Sequence, residues 1–373
     1  MTMRHRNSFA EIDLRNLGHN LQLVQKLSPN RQFICPMVKA NAYGHGAIEI
    51  SKTLIELGVQ TLGVALVEEA IELREHHIKS EILVFGLFHE PSVAAIQEYK
   101  ITPVLSHFDQ FEMLKKYLKV DQKQKIHLKF NTGMNRLGFE CSEADRIRKF
   151  LGAHSNFQLS GICTHFLNGD DLWSEDGFSK RQFEKISEIS KKFENYPHQL
   201  HALNSSALLS SAQDFAKLGV RPGVSLYGGI APTRELDFRP VMSVKSELVL
   251  FHEVKAGETV SYGANFKTQR DSLIGVVPFG YADGYFRQLG NQSEVLCHGH
   301  LVPVVGTVCM DYLMLDLTEL KSLQNLKIGD EVVLFGSQRN KQILASDLAK
   351  KVGTISYEVF TRVSERVPRV FIR

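Results

Sequence analysis

A chain of 373 residues is too long for one ordinary domain and suits a barrel with a smaller second domain. Its 43% hydrophobic content is that of a soluble globular protein, its formal charge of +3 gives no case for nucleic acid, and no apolar run reaches the roughly 18 residues of a membrane helix. No apolar segment follows the basic start Met1–Asn7, so no secretory leader is expected, and the scattered Cys35, Cys141, Cys163, Cys297 and Cys309, none at metal-ligand spacing, read as reduced thiols in a cytoplasmic protein.

Ser8 to Ile12 reads as a short strand. Asp13 can cap the helix that follows, whose Leu14, Leu17, Leu21, Val24 and Leu27 keep helical spacing. Phe33 to Val38 reads as a buried strand, followed by a small-residue loop with two glycines and a helix carrying Ile50, Leu54 and Leu57. A rhythm then sets in: strands Thr61–Ala65, Ile82–Phe85, Thr102–Leu105, Ile126–Phe130, Gln158–Cys163 and Gln199–Leu203 alternate with helices Glu68–His77, Ser92–Tyr99, Asp109–Leu118, Ser142–Leu151, a long one to about Phe193, and Ser205–Phe215. A last short strand lies near Leu218–Arg221. Counted from Phe33, eight strand candidates, most followed by a helix, predict an N-terminal (β/α)8 TIM barrel. The competing open doubly wound sheet lacks its Gly-x-Gly-x-x-Gly turn.

Near Pro232 the pattern changes. Short β-rich segments follow: Val244–Phe251, Thr259–Ser261, Leu273–Val277, Glu294–Cys297, Leu301–Val305, Leu313–Leu317 and Glu331–Phe335, with one late helix, Ser346–Val352. The expected organisation is a barrel over residues 13–235 and a mostly-β C-terminal domain over 236–373, with residues 1–12 joining the latter.

Lys39 stands at the C-terminal tip of the first barrel strand, where TIM-barrel chemistry gathers. Burial there disfavours the ammonium form, and a neutral amine can condense with an aldehyde such as pyridoxal phosphate. Tyr43 is near enough in sequence to reach a phosphate or aldehyde oxygen. The plainer reading is a strand-end lysine reaching out to solvent.

Lys39 has companions. Pro36-Met-Val-Lys-Ala-Asn-Ala-Tyr-Gly-His-Gly46, Lys129-Phe-Asn-Thr-Gly-Met-Asn-Arg-Leu-Gly-Phe139, Thr164-His-Phe166, His201-Ala-Leu-Asn-Ser-Ser206 and Arg221-Pro-Gly-Val-Ser-Leu-Tyr-Gly228 end the first, fifth, sixth, seventh and eighth barrel strands. Val260-Ser-Tyr-Gly-Ala-Asn-Phe266, Gly280-Tyr-Ala-Asp-Gly-Tyr285, Val308-Cys-Met-Asp311 and Ile355-Ser-Tyr-Glu358 follow in the second domain. In this order they resemble bacterial alanine racemase, from Phe9 to Arg369.

The resemblance implies interconversion of L- and D-alanine through a pyridoxal 5'-phosphate aldimine, supplying D-alanine for peptidoglycan. It also implies a head-to-tail homodimer whose sites are completed by the partner's second domain. Lys39 matches the cofactor lysine and base for D-alanine, Tyr262 of the other subunit the base for L-alanine, and His165 the histidine bonded to that tyrosine. Arg221 matches the arginine at the pyridine nitrogen; a guanidinium only donates, so that nitrogen must accept and stay unprotonated. Tyr43, Asn204, Ser205, Gly223, Val224 and Tyr357 match the remaining cofactor contacts. Arg136 and Met310 match carboxylate binders, with Asp311 beside them, and Lys129 matches a lysine often carbamylated. Tyr281, Asp170 and, more weakly, Arg287 match residues of the substrate corridor. Thr307, Phe286 and Tyr312 depart from the usual arginine, proline and glutamine, which alters the corridor and leaves the core chemistry alone.

Three rivals stay open on sequence. A racemase of different scope, for serine or lysine, differs in a pocket that sequence does not size. A decarboxylase of the same fold is disfavoured by Arg221, and a non-catalytic pyridoxal-phosphate binder by the presence of a second domain with Tyr262.

Overall fold

The computed structural model describes residues 6–28, 33–119, 121–169, 177–210, 218–230 and 236–373. Strand β1, Phe9–Asp13, runs into the helix Leu14–Leu27. Asp13 caps that helix as its sequence suggests, its Oδ1 accepting from the amides of Arg15 at 2.9 Å and Asn16 at 3.2 Å. Leu17, Leu21 and Val24 point inward and are fully buried, each removal from water being worth about 1.5–3 kcal/mol.

The chain forms two compact units. One comprises Leu21–Ala42 and Ala47–Leu226. Its parallel strands are β2 (Thr61–Val64), β3 (Glu81–Val84), β4 (Thr102–Leu105), β5 (Gln124–Asn131), β7 (Phe157–Cys163), β8 (Gln199–Leu203) and β9 (Gly219–Val220), in that spatial order, with the short β6 (Phe139–Glu140) beside β5. The segment expected as a strand from Phe33 to Val38 closes the ring through isolated parallel bridges, Ile34 to Val220 and Met37 to Gly63. Pro36 explains why it is not a regular strand: it has no N–H to give, and its carbonyl alone pairs, accepting from Gly63 at 2.9 Å. The fold is a (β/α)8 TIM-type barrel with helices after the strands. The helix expected over Ser205–Phe215 is described over Ser205–Ser210, and residues 211–217 lie outside the described residues. Inside the barrel, Cys35, Leu83, Val104 and Cys163 pack with Phe33 and Phe85. Burial pushes both thiols up, so these cysteines act as small apolar side chains.

The other unit takes the chain up to Asn20, Tyr43–Gly46 and Tyr227–Arg373. It is mostly β. Strand β10 (Met242–Glu247) pairs antiparallel with β1, which pairs in parallel with β20 (Arg369–Ile372). The sheet continues from β10 through β18 (Glu331–Gln338), β15 (Glu294–Cys297), β16 (His300–Val305), β17 (Leu313–Asp316) and β14 (Ser272–Val277) to β11 (Leu250–Val254). The single strand expected over Val244–Phe251 is therefore two. Leu248 and Val249 make the corner, with Leu248 exchanging backbone bonds with Asp330 and Gly329 while Val249 donates to Val276 at 2.9 Å. The apolar run from Leu248 to Phe251 spans this corner and hides it in the sequence. Strand β20 and the helices Thr318–Leu323 and Ser356–Arg362 also have no clear local pattern.

Candidate active site

Lys39 follows the barrel-closing bridge at Met37 and is half-buried. The backbone after it is not an ordinary loop. Ala40, Asn41, Ala42 and Tyr43 all have φ between 51° and 54°, a complete left-handed turn in non-glycine residues. Such a turn costs about 1–2 kcal/mol per residue, so its surroundings must hold it. Within the barrel unit, Ala42 N donates to Val38 O at 2.8 Å, Ala47 N to Asn41 Oδ1 at 2.7 Å, and Ala40 N to Glu69 Oε1 at 2.5 Å. Burial, then the nearby Arg136, lowers the pKa of Lys39 against the pull of Glu69.

The neighbouring strand ends supply more cations. Lys129 on β5 is 7% exposed, and burial, with Arg221, Arg136 and Lys39 around it, lowers its pKa. Arg221 follows β9, is buried, and stands over the Phe85 ring at 5.6 Å. Its Nη1 donates to His201 Nδ1 at 2.8 Å and its Nη2 to Thr164 O at 2.7 Å and, more weakly, to His165 Nδ1 at 3.4 Å. His165 is pushed down to about 3 by burial and by Arg221, Arg136, Lys129 and Lys39. A neutral imidazole that accepts at Nδ1 carries its proton on Nε2 and offers it outward as a donor.

Asn204 caps the helix Ser205–Ser210, its Oδ1 accepting from Ala207 N at 2.9 Å. Ser205 Oγ draws together the amides of Gly223 at 3.1 Å and Ser225 at 3.2 Å. The Arg136 loop is shaped by Asn131, whose Oδ1 accepts from Asn135 N at 2.9 Å, and Arg136 itself is exposed.

In the other unit, Tyr43 lies between two tyrosines, with ring centroids 5.0 Å from Tyr227 and 5.7 Å from Tyr357. Tyr262 begins a tight turn and is 71% exposed. Thr307 fixes that turn: its Oγ1 donates to Tyr262 O at 2.8 Å and accepts from Asn265 Nδ2 at 3.1 Å. Tyr281 and Met310 sit on adjoining segments, since Tyr281 N donates to Cys309 O at 3.0 Å and Ala282 N to Met310 O at 3.0 Å. This approach requires Gly280, where a Cβ would stand 2.2 Å from the Met310 carbonyl oxygen. Asp283, fully buried, holds the segment by accepting from Gly280 N at 3.0 Å and Arg6 at 2.8 Å. Asp311 pairs with Arg366 at 2.7 Å.

Residues 12–231 match the family profile described as alanine racemase, N-terminal domain, and residues 241–371 match its C-terminal domain. The chain belongs to the alanine racemase family. An alanine racemase of Clostridium novyi is 38% identical over 98% of this chain and 95% of its own length. One from Thermodesulfovibrio yellowstonii is 40% identical over 97% of each. The solved alanine racemase of Bacillus anthracis with bound L-Ala-P superposes with a TM-score of 0.89 at 31% identity, covering 100% of this chain and 96% of that one. That of E. faecalis gives 0.89 at 30% identity and 99% coverage of both. The protein is an alanine racemase enzyme, interconverting L- and D-alanine.

Of the residues expected in this racemase's site, Lys39, Lys129, Arg136, His165, Asn204, Ser205, Arg221, Gly223 and Val224 belong to the barrel unit. Tyr43, Tyr262, Tyr281, Met310, Asp311 and Tyr357 belong to the other. Asp170 lies outside the described residues. Sequence reasoning missed Gln182, 3% exposed on the helix Phe178–Lys192. Its Nε2 donates to Thr132 Oγ1 at 3.1 Å and to His165 O at 3.0 Å, while its Oε1 accepts from Leu167 N at 2.8 Å. Nothing local distinguishes that glutamine from a solvated one. Asp283 stands in the Gly280–Tyr285 motif with nothing local to mark its role, and Thr307 shows in sequence only as a departure from the usual arginine.

Proposed function

We propose that this racemase works with pyridoxal 5'-phosphate attached at Lys39, and that Lys39 and Tyr262 are bases on opposite faces of the substrate Cα. The observation that carries the reading is the half-buried Lys39 amine, its pKa lowered, sharing the rim of one barrel with a buried arginine that can only donate. When bound, the cofactor supplies an aldehyde for the amino group and a ring that stabilises charge left at Cα.

The residues fit such a group. Ser205 and the Gly223–Val224 turn that it organises would hold its phosphate together with Tyr43 and Tyr357, and Asn204 anchors the helix start beside them. Arg221 would face the ring nitrogen and keep it unprotonated, which confines charge to Cα and favours racemisation over decarboxylation or amino transfer. Lys39 Nζ would remove or return the proton on the D face. Tyr262 Oη would do so on the L face, accepting a hydrogen bond from His165 Nε2–H that lowers the cost of the phenolate. Arg136 and the Met310 amide would bind the carboxylate, and Tyr281, Asp311, Asp170 and Arg287 would line the approach.

Lys129 would carry a carbamate. Burial lowers the Lys129 pKa and so favours the neutral amine that adds CO2 with loss of a proton, and the anion formed would steady Arg136. A homodimer explains why Tyr262 and Met310, 71% and 52% exposed, lie open on one chain: the partner's barrel would cover them. The free cysteines fit a cytoplasmic enzyme, here one supplying D-alanine to peptidoglycan. We assign its barrel domain to 13–235 and its β domain to 236–373, the latter joined by residues 1–12, consistent with the pairing of β1 with β10.

The test is proton NMR of cofactor-loaded enzyme with L-alanine in deuterium oxide, with chiral analysis of the product. Exchange of the α-hydrogen together with D-alanine is expected. Exchange without D-alanine would remove the second base, and no exchange of alanine with turnover of serine or lysine would reassign the substrate.

A further inference from the structure

Behind Arg221 lies a buried pair of histidines that the chemistry above does not use. Arg221 Nη1 stands 2.8 Å from His201 Nδ1, and His201 Nε2 stands 2.8 Å from His127 Nδ1. All three side chains are buried, and Phe33 covers the pair with its ring centroid 4.8 Å from His201. The barrel is built to admit them: a Cβ on Gly161 would lie 2.1 Å from His127 Nδ1. His127 comes from the N-terminal half of β5, and Arg221 follows the C-terminal end of β9, so the row runs along the barrel interior. Its far end borders a cavity of about 540 Å³ lined by Gln25, Thr61, Glu81, Lys125 and His127.

The proton arrangement follows from one fact: a guanidinium has donors only. Arg221 therefore donates to His201 Nδ1, which must be bare. His201 carries its proton on Nε2 and donates to His127 Nδ1, which must be bare in turn. His127 keeps its own proton on Nε2. Both rings are neutral, consistent with burial and the arginine charge, which push His127 down to about 3 and His201 well below its ordinary value. With Nη1 tied to His201 and Nη2 to Thr164 O, the plane of the guanidinium is fixed, and among the described residues its Nε–H has no acceptor.

We infer that His201 and His127 are positioning residues for the reaction: a one-way hydrogen-bond relay that locks Arg221 with its remaining donor toward the cofactor's ring nitrogen. The inference rests on the cofactor reading given above. Without the His127 acceptor, His201 can turn or change tautomer, its Nδ1 no longer faces Arg221 alone, and the guanidinium gains freedom. The ring nitrogen is then less well held unprotonated, and more turnovers end with the amino group passing to the cofactor and pyruvate leaving.

The first measurement is nitrogen NMR of the histidine-labelled wild-type protein, with and without cofactor, at neutral pH. Both rings are expected as neutral Nε2–H imidazoles; an imidazolium or an Nδ1–H tautomer at either ring overturns the relay. The second compares His127→Leu, which removes the acceptor, with His127→Asn, whose Oδ1 can stand near the former Nδ1, each first shown to melt cooperatively. Pyruvate released per racemisation should rise about fivefold in His127→Leu, the scale of one lost hydrogen bond between neutral groups, with kcat lowered and KM unchanged, and His127→Asn should return within about twofold of wild type. Equal partition in all three enzymes, with racemisation intact, would overturn the relay and leave the racemase reading standing. A wild-type enzyme that does not racemise alanine would overturn that reading instead, while the tautomer result would still judge the relay's geometry.

Discussion

Gln182→Leu removes a side chain that no sequence pattern singles out, and its effect can be worked from the structure. The amide makes three hydrogen bonds, to Thr132 Oγ1, His165 O and Leu167 N, while 3% exposed. Leucine fills similar space and makes none of them. Each bond is worth about 0.5–1.5 kcal/mol net, and the orphaned Leu167 N–H and His165 carbonyl keep a desolvation cost, so the loss is about 2–4 kcal/mol. For a unit of this size that lowers the barrel's melting temperature by roughly 5–10 °C. The same change unties the segment carrying His165, so kcat should fall about tenfold or more in both directions, because small displacements of a positioned group are costly. Calorimetry and a chiral rate assay check both effects. Melting within about 1 °C of wild type with unchanged turnover would refute the argument that Gln182 is the clamp beneath His165.

Tyr262→Phe should keep bound cofactor and lower racemisation about 100-fold or more, the scale of a lost general base; near-normal rates in both directions would remove Tyr262 from the mechanism. Lys39→Ala should lose the visible absorbance of lysine-bound cofactor, and mixing it with Tyr262→Phe subunits should restore some activity; no recovery after verified subunit exchange would put both bases on one chain. Mass spectrometry under CO2-equilibrated buffer should find Lys129 heavier by one carbamate, and an unmodified Lys129 with full activity would defeat that expectation. His127 and His201 are held neutral, below their unfolded values, so the folded state's advantage is complete above pH ~6.5 and shrinks as pH falls, because the unfolded chain then binds protons the folded chain refuses. Two such groups give a slope of roughly 3 kcal/mol per pH unit below that point, persisting toward the His127 value of about 3. A denaturation series from pH 7 to 4 whose slope is unchanged in a His127→Asn/His201→Asn double variant would contradict this.

Much of the candidate site was legible because its residues sit in short motifs at strand ends. Lys39, Arg136, His165, Asn204 and Arg221 each close a βα unit whose period the sequence shows, and a barrel gathers such ends at one rim. What escaped were residues whose role lies in a distant partner. Gln182 touches Thr132, 50 positions away, and Asp283 is bonded to Arg6, 277 positions away. Neither glutamine nor aspartate differs locally from its solvated counterparts.

By itself the sequence determined the alternation of strands and helices, the change to β structure after the barrel, and the order of motifs that places an amine, a phenol and a lone arginine in one family's pattern. Those are properties of short windows, set by side-chain period and by residue type. Only the tertiary structure decided how Phe33–Val38 closes the ring by bridges rather than as a strand, why residues 40–43 hold a left-handed turn, and how His127 meets His201, 74 positions later. Each depends on groups that the folded chain alone brings within hydrogen-bonding distance. A strained turn or a buried neutral histidine is stable only when such partners are already in place.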